Sequence, residues 1–526
     1  MVTKTLIEFA SDKTLTQLLV KERVKCCRRN RSDKHHYLDK ACKLDDLSTR
    51  KMLSRLMPPR RTWVRQSKKV TLPNGAKDTR KSTEKTLMQT IKRDTKLWHN
   101  GQTFGYLEEQ QAFFDRIRKR LSDKKMKLDS PTLFPIFKDK EKRADGTWNV
   151  TCRPLSVYSK LEDKIILALT SRYLTRYFDR YLHENILSYR PARDFNNKKH
   201  HVTDFNEGME LIKAFREKHN SEPIYAADCD IKKFYDITSH KVVRECFQHM
   251  LDNSPLDQDG KEQVMRVLEA YLASYNFYTN ALMKSQEHVE VFTKVRHRLH
   301  DSKGANTYQL GKVDISDEEY QQRGVPQGGA LSLLVANIVL NDVDKVIVDQ
   351  PDDNRLFIRY CDDMILLHTD YDECCRLMNL YTQSLDNHKL YYHNLEPVSN
   401  SKSCHRAVAT TSSFWKIKSH LPFLWGEGDG NSNYYIGFLG YEIRRDGRIR
   451  LRKSNIKRFD EKFERQRFAL HRYRKKKPED YLELKKQVLD RFVKGVEFYL
   501  ALDMQQFKRT AQYRYLEKLQ ARLDKR

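Results

Sequence analysis

The sequence predicts an α+β fold that ends in a bundle of helices. Short apolar strands alternate with amphipathic helices between residues 131 and 450, which is the pattern of a mixed core. From Ser454 onward the pattern is helical, and Pro478 ends the first of three expected helices. The apolar run 357–368 carries Asp362 and Asp363 at its centre, so two strands with a turn between them are expected there.

Four regions are expected along the chain. Residues 1–130 form a basic, mostly helical N-terminal extension. Residues 131–225 begin with a β-hairpin, whose strands are LFPIF and WNVTCRPLSV. Residues 226–450 carry most of the other strands and a helical insertion at about 252–320, and residues 451–526 are helical.

The period of the apolar residues and the turn residues between them place the elements of the core. Thr238 or Ser239 is suited to cap the helix that follows it. In chain order we expect a helix at 161–182, a strand at 224–231, a helix at 240–251, helices within 261–300, a helix at 329–348, two strands within 357–368, a helix at 371–388, and strands near 434–443 and 449–451.

The charge of the chain indicates its class of partner. Lys and Arg number 99 and Asp and Glu 71, which gives a formal net charge of +28. Such an excess favours a polyanion, above all nucleic acid, because phosphates are neutralised by Lys and Arg. No stretch approaches the ~18 apolar residues of a membrane-spanning helix, so no membrane partner is expected. The absence of a signal peptide and of any C-x-x-C pair among ten cysteines favours free thiols in the cytoplasm.

Three carboxylates are candidate metal ligands. Adjacent Asp362 and Asp363 at a bend between apolar strands are costly unless a positive charge lies on them, and divalent cations prefer carboxylate oxygens. A third carboxylate must come from elsewhere in the chain. Asp230, at the end of the apolar strand 224–231, is the best candidate, and Asp228 on the same strand face is its competitor. Two-metal sites of this kind serve phosphoryl or nucleotidyl transfer, whereas a solvated turn and strand end are the alternative.

A glycine-rich loop precedes the long apolar helix. Pro326 is followed by Gln327, Gly328 and Gly329, and such a backbone permits close approach to a ligand. Gln327 is placed to hydrogen-bond a nucleotide or the template backbone. Taken alone, the loop is equally consistent with an ordinary junction between a loop and a helix.

Six segments together resemble the conserved blocks of reverse transcriptases, in the same order. Those segments are Arg153-Pro-Leu155, Ser188-Tyr-Arg-Pro-Ala-Arg193, Asp230-Ile-Lys-Lys-Phe-Tyr-Asp236, Gly324-Val-Pro-Gln-Gly-Gly-Ala-Leu-Ser332, Tyr360-Cys-Asp-Asp363 and Phe438-Leu-Gly-Tyr441. The resemblance covers roughly residues 130–450. It implies a right-hand polymerase fold with fingers at 131–225, a palm with an antiparallel sheet at 226–450 and an α-helical thumb at 451–526.

The resemblance implies a catalytic role for three residues, metal binding by a fourth and nucleotide binding by a fifth. Asp230, Asp362 and Asp363, with the main-chain carbonyl of Ile231, would bind two Mg²⁺ ions, for which Mn²⁺ is a substitute. The ions would activate the primer 3′-OH and hold the triphosphate. Tyr235 matches the steric-gate aromatic that excludes a 2′-OH, although a core aromatic is the alternative for this position.

The resemblance also implies contacts to the incoming nucleotide. Gln327 and Gly328 belong to the loop that contacts it. Lys138 and Arg153 of the fingers hairpin would meet the triphosphate, since Arg offers phosphate a bidentate fork. Lys402 is similar in place to the lysine that protonates pyrophosphate, although the residues around it depart from the pattern.

Within this family the chain is most similar to the bacterial group II intron-like lineage, and there to the defence-associated "unknown group" and abortive-infection enzymes. Leu333 stands where intron enzymes usually have proline, and the retron hallmarks are not found. This implies an RNA-directed DNA polymerase that acts in antiphage defence. Its expected partners are dNTPs, a DNA product and an RNA template or cognate noncoding RNA, and a homo-oligomer is also compatible with the sequence. A group II intron-type maturase, a non-enzymatic RNA-binding scaffold, and an enzyme making untemplated or protein-primed DNA are the alternatives.

Overall fold

The structure, a computed structural model, is described below for the following part of the chain: residues 3–29, 46–65, 79–142, 148–188, 190, 205–276, 322–349, 351–398, 414–427, 431–452, 454–455 and 521. Within these residues the chain is α+β, as the sequence predicts. The predicted C-terminal helices fall almost entirely outside the described residues. The part of the predicted insertion that follows Asn276 also lies outside them.

The helices predicted at 161–182, 240–251, 329–348 and 371–388 are found among the described residues, as is one of those within 261–300, whereas the helices at 205–218 and 234–237 were not predicted. In chain order they are α1 (Leu6–Phe9), α2 (Asp12–Arg29), α3 (Asp46–Arg55), α4 (Thr79–His99), α5 (Gly105–Ser122), α6 (Leu161–Phe178), α7 (Phe205–Lys218), α8 (Phe234–Ile237), α9 (His240–Asp252), α10 (Gln258–Ala273), α11 (Ser332–Val348) and α12 (Tyr371–Asn387). Ser239 is the N-cap residue of α9, but its side chain makes no capping hydrogen bond. Helix α11 begins three residues later than expected, since the Gly-Gly pair stays in the preceding loop.

The strands of the described residues form three sheets. They are β1 (Thr132–Lys142), β2 (Trp148–Val157), β3 (Tyr225–Asp230), β4 (Arg355–Tyr360), β5 (Asp363–His368), β6 (Leu395–Glu396), β7 (Ser419–Trp425), β8 (Ser432–Asn433), β9 (Tyr435–Phe438), β10 (Tyr441–Arg444) and β11 (Ile449–Leu451). Strands β1 and β2 pair antiparallel as the predicted hairpin, and β9, β10 and β11 form a three-stranded sheet. The largest sheet has the order β4-β5-β3-β7-β6, with β8 paired to β7.

Two compact units divide the chain. The first comprises residues 1–183, 233–343 and 385–391, and it contains most of the helices and the β1–β2 hairpin. Its N-terminal helices are part of its core: α2 packs against α4 and α6, and the Tyr173 hydroxyl donates to the Lys4 carbonyl at 2.7 Å. Basic residues 1–130 therefore contribute buried helices to this unit, while the predicted domain boundaries remain predictions.

The second unit comprises residues 184–232, 344–384 and 392–526 and contains the largest sheet. Strands β4, at one end of this sheet, and β5, next to it, are apolar and buried over most of their length. Helix α7 packs against β4 and contributes Met209, Ile212 and Phe215 to the core. The strand ends beyond this core carry the candidate carboxylates.

Strand β7 was not predicted from the sequence. Its segment, SHLPFLW, contains Pro422, and proline within an apolar run argues against a strand. The pairing of β3 with β7 shifts register between Ala226 and Asp228, and Pro422 lies at this irregularity, where a missing N–H is tolerated.

No helix among the described residues is both long enough and apolar enough to cross a membrane.

Candidate active site

The two adjacent aspartates lie at a tight turn between β4 and β5, as predicted. Tyr360 and Asp363 are paired across the two strands, which leaves Cys361 and Asp362 as a two-residue loop. Cys361 has a φ of 58°, and a positive φ at the first loop residue is a feature of the hairpin turns that match strand twist. Arg359 donates through Nη1 to the Cys361 carbonyl at 2.9 Å, which fixes the turn from inside.

Asp230 reaches the same edge from the neighbouring strand. Strands β3 and β5 are antiparallel, and Asp230 is the pairing partner of Asp363 at their ends. The backbone N–H of Asp230 donates to Ser419 Oγ at 2.9 Å, and its carbonyl accepts from the N–H of His393 at 3.0 Å. Three carboxylates from two distant parts of the sequence are thus held by sheet pairing at one edge.

This edge carries a surplus of negative charge. The Asp363 side chain opens to solvent, yet it lies deep among protein atoms, and its pKa is raised to about 7. Desolvation is the largest cause, followed by the charges of Asp362, Asp230 and Asp228. A cation bound among these clustered carboxylates would stabilise their ionised forms.

Asp228, the competitor for the third position, is already engaged. It accepts hydrogen bonds from His420, from the backbone N–H at 3.2 Å and from Nδ1 at 2.8 Å. His420 Nε2 in turn lies 3.2 Å from the Phe414 carbonyl, and the two rings are stacked. This partly buried contact joins β3 to β7 and occupies the Asp228 carboxylate, whereas Asp230 lies at the end of β3 beside Asp363.

Two basic side chains near Asp230 were missed by the sequence analysis. Lys418 Nζ lies 3.4 Å from Asp230 Oδ2, and His393 Nε2 lies 4.0 Å from the same oxygen. Lys418 also lowers the pKa of Asp363, against the larger causes that raise it. No sequence signal identified Lys418, because the strand that it precedes was itself not predicted.

In the first unit, the glycine-rich loop is tied to its neighbours by backbone hydrogen bonds. The N–H of Val325 donates to the Tyr235 carbonyl and the N–H of Ser156 donates to the Gln327 carbonyl, both at 2.8 Å. Gly328 has a φ of 85°, and a Cβ on it would lie 2.2 Å from Leu155 Cδ1, so this position requires glycine. The structure thus brings Tyr235, Gln327 and Gly328 together. The side chains of Tyr235 and Gln327 are partly exposed.

The other predicted contacts to the nucleotide are less fully described. Lys138 lies on β1 at a register shift, and Arg153 lies on β2 opposite Ile136. Their side chains fall outside the part of the chain that the structure describes, and Lys402 falls outside it entirely. Ile231 is buried directly after β3 and pairs with Tyr392.

Comparison with known protein families decides the identity of this fold. The family described as "Reverse transcriptase (RNA-dependent DNA polymerase)" matches residues 139–405, just over half of the chain. The chain belongs to the reverse transcriptase family. Its fold is therefore the right-hand polymerase that the sequence predicts, and the family to which it belongs is that of RNA-directed DNA polymerases. No curated protein is significantly similar to this reverse transcriptase in sequence.

Solved structures resemble this reverse transcriptase weakly. Apo telomerase from Candida Tropicalis is 12% identical, with a TM-score of 0.36 over 62% of this chain and 49% of that chain. Telomerase from Candida albicans, in complex with a TWJ fragment of telomeric RNA, is 15% identical, with a TM-score of 0.32 over 66% and 49%. The RNA-dependent RNA polymerase of a human picorbirnavirus is 11% identical, with a TM-score of 0.30 over 50% and 39%. The chain spans about half the length of the two telomerases, and these likenesses carry no argument about it.

The donor set of this reverse transcriptase suits the divalent ions that its family generally uses. Asp230, Asp362 and Asp363 offer carboxylate oxygens, which hard cations prefer. Burial and the charges of Asp362, Asp230 and Asp228 raise the pKa of Asp363, whereas Lys418 lowers it, and a cation at these carboxylates would favour their ionised form. Both observations fit a divalent cation at the carboxylates.

Proposed function

We propose that this reverse transcriptase copies RNA into DNA at Asp230, Asp362 and Asp363, with two Mg²⁺ ions or Mn²⁺ as their substitute. The observation that carries the proposal is the pairing of Asp230 with Asp363 at the ends of β3 and β5, directly beside Asp362. A surface scaffold has no need of clustered negative charge next to a polyanion. The arrangement therefore favours an active polymerase over a non-enzymatic RNA-binding protein.

The site residues have separate roles in metal binding and in selection of the sugar. Asp230, Asp362 and Asp363, with the carbonyl of Ile231, hold the ions. When bound, two such ions lower the pKa of an attacking 3′-hydroxyl and stabilise a pyrophosphate leaving group. Tyr235, whose ring is partly exposed, restricts the sugar to one without a 2′-hydroxyl.

The nucleotide is oriented by residues of the loop and the fingers hairpin. The glycine-rich loop presents Gln327 and Gly328 to the nucleotide, with its backbone fixed by Ser156. Lys138 and Arg153 neutralise the triphosphate, and Lys402 supplies a proton to pyrophosphate.

The test is Mg²⁺-dependent incorporation of dNTPs on an RNA template by the purified chain. The Asp362→Asn, Asp363→Asn double variant keeps the size and polarity of both side chains, and it should lose synthesis by at least about a thousandfold. Asp353→Asn is the matched control, because this carboxylate is fully exposed on the turn before β4. Synthesis retained by the double variant would remove the assigned site.

The proposed setting is the bacterial cytoplasm, where the enzyme is bound to a cognate noncoding RNA and acts in antiphage defence. Its support is the net charge of +28, which suits a chain that holds RNA, and the resemblance to defence-associated reverse transcriptases. Purification from the host, with sequencing of both the bound RNA and the DNA product, tests template and product together. A compact noncoding RNA encoded beside the gene is the expected result.

Other outcomes of the same experiment favour the alternatives. Intron RNA flanking the gene would favour a group II intron-type maturase. A DNA product without a matching template would favour untemplated synthesis. A product that enters the aqueous phase only after protease treatment would show priming from a protein hydroxyl.

A further inference from the structure

A cluster of metal-binding side chain types lies in the first unit, away from the catalytic motifs in sequence. Cys246 lies on α9, Asp342 on α11, and His388 directly follows α12. One ligand atom from each of the three lies within 4.8 Å of the others. These residues belong to none of the reverse transcriptase motifs, and the proposed polymerase function leaves them without a role.

A fourth side chain of the same kind borders the cluster. His249 lies one helical turn after Cys246 on α9, so both project from the same face of the helix. Its Nδ1 lies 3.1 Å from Asp342 Oδ2, and His388 Nε2 lies 3.9 Å from the same oxygen. Two ligands at tetrahedral angles on one zinc ion are roughly 3.3 Å apart, so these separations are close to those of a bound site.

We infer that Cys246, His249, Asp342 and His388 bind one zinc ion. A thiolate with two imidazoles and a carboxylate is a ligand set that Zn²⁺ accepts in tetrahedral geometry, whereas Mg²⁺ and Ca²⁺ require oxygen ligands. The zinc site is therefore chemically distinct from the all-carboxylate edge formed by Asp230, Asp362 and Asp363.

Burial fits a structural role for this ion. Cys246 is 3% exposed, and the side chains of Asp342 and His388 are 15% and 19% exposed, so the ion would lie just beneath the surface. His249 is 61% exposed, so its ring would complete the ligand set from the solvent side. Four protein ligands leave no open position for a substrate, which is the arrangement of structural zinc. The ion would join α9, α11 and the end of α12, which are far apart in sequence, and it would stabilise this unit against unfolding.

Zinc content of the full-length chain, purified without chelators and measured by mass spectrometry, tests the inference. About one zinc ion per chain is expected, because a closed four-ligand site retains its ion. Cys246→Ser and His388→Gln should each weaken zinc binding by at least about tenfold. Cys375→Ser, which changes a partly exposed thiol of α12 outside the cluster, is the matched control and should keep its zinc.

Two further measurements keep the inference independent of the folding of variants and of catalysis. The unaltered chain produced in cobalt-supplemented medium should show a thiolate-to-cobalt charge-transfer absorption, which requires Cys246 in the coordination sphere. The Asp362→Asn, Asp363→Asn variant should retain its zinc although it no longer makes DNA. Absence of the cobalt band, or full zinc content in Cys246→Ser and His388→Gln, would overturn the inference and leave a hydrogen-bonded cluster only.

Discussion

Arg359 and Asp344 form an ion pair in which both side chains are completely buried, with Arg359 Nε 2.6 Å from Asp344 Oδ2. The same guanidinium donates to the carbonyl of Cys361, the residue just before the two aspartates. A buried pair of this kind is costly to assemble and much more costly to break. The turn that carries Asp362 and Asp363 is therefore fixed to a charge in the core.

Breaking this pair should destabilise the protein strongly. Arg359→Met leaves Asp344 buried without its countercharge, and such a change costs about 3–5 kcal/mol of unfolding free energy. Urea unfolding, followed by circular dichroism, measures the loss. Replacing both partners, as Arg359→Met with Asp344→Leu, should recover a large part of the loss, because no buried charge then remains.

An exposed ion pair supplies the control for this measurement. Arg244 and Glu269 form two hydrogen bonds, at 2.7 and 2.9 Å, and their side chains are 34% and 47% exposed. Arg244→Met should cost only about 0.2–1 kcal/mol, because water and salt screen such pairs. If Arg359→Met cost no more than this control, the buried pair would not hold the turn.

Gly328→Ala should impair nucleotide incorporation. A Cβ at this position would lie 2.2 Å from Leu155 Cδ1, and the backbone φ of 85° disfavours any side chain. Together these effects cost about 1–3 kcal/mol, so the loop that carries Gln327 should move. Steady-state kinetics should show a higher KM for dNTPs.

The control for this glycine is Gly105→Ala at the start of α5, where a Cβ would meet nothing within 4 Å. Its kinetics should be unchanged. Gly328→Ala combined with Leu155→Ala removes the clash but keeps the positive φ, and so it should restore part of the activity. Equal kinetics for Gly328→Ala and Gly105→Ala would contradict the role assigned to the loop.

Tyr235→Ala should weaken discrimination between sugars. The Tyr235 ring is partly exposed and lies against Phe234 edge to face, so it is available to a bound nucleotide. Loss of the ring should lower the preference for dNTPs over rNTPs by about tenfold or more. Tyr235→Phe keeps the ring and should keep the preference. An unchanged ratio in Tyr235→Ala would mean that the residue only packs.

The sequence was sufficient for those parts of the molecule that local patterns determine. Strands β4 and β5 and the turn between them were predicted from one apolar run with Asp362 and Asp363 at its centre. The position of Asp230 was predicted because the strand before it is short and apolar. The resemblance to a known family implied that Asp230 lies near Asp362 and Asp363, but its pairing with Asp363 depends on the sheet order, which was not predicted.

Contacts that form only on tertiary folding could not be predicted from the sequence. Strand β7 was missed because Pro422 lies within it. As a result, the position of Lys418 near Asp230 and the contact of His420 with Asp228 were missed as well. The cluster around Cys246 was also missed, since its members lie on two helices and just after a third, far apart in sequence, and match no local zinc spacing. Charges that act across a sheet or between helices leave no periodic signal.

Stability should decline in mild acid because of His240. This histidine is buried at the start of α9, its Nε2 lies 2.8 Å from the Gly324 carbonyl, and burial lowers its pKa from 6.5 to about 4. The neutral ring is the form that the folded state holds, so the unfolded state binds more protons below pH 6.5. The stabilisation is complete above pH 6.5 and is lost as the pH falls towards 4, by roughly 3 kcal/mol in total.

Urea unfolding at a series of pH values between 7 and 4 measures this loss. His240→Gln keeps an N–H donor for the Gly324 carbonyl but does not titrate, so its stability should fall less steeply over the same range. The difference in slope between the two proteins reports the proton taken up by His240 on unfolding. Identical slopes would mean that His240 does not contribute to the acid sensitivity of the fold.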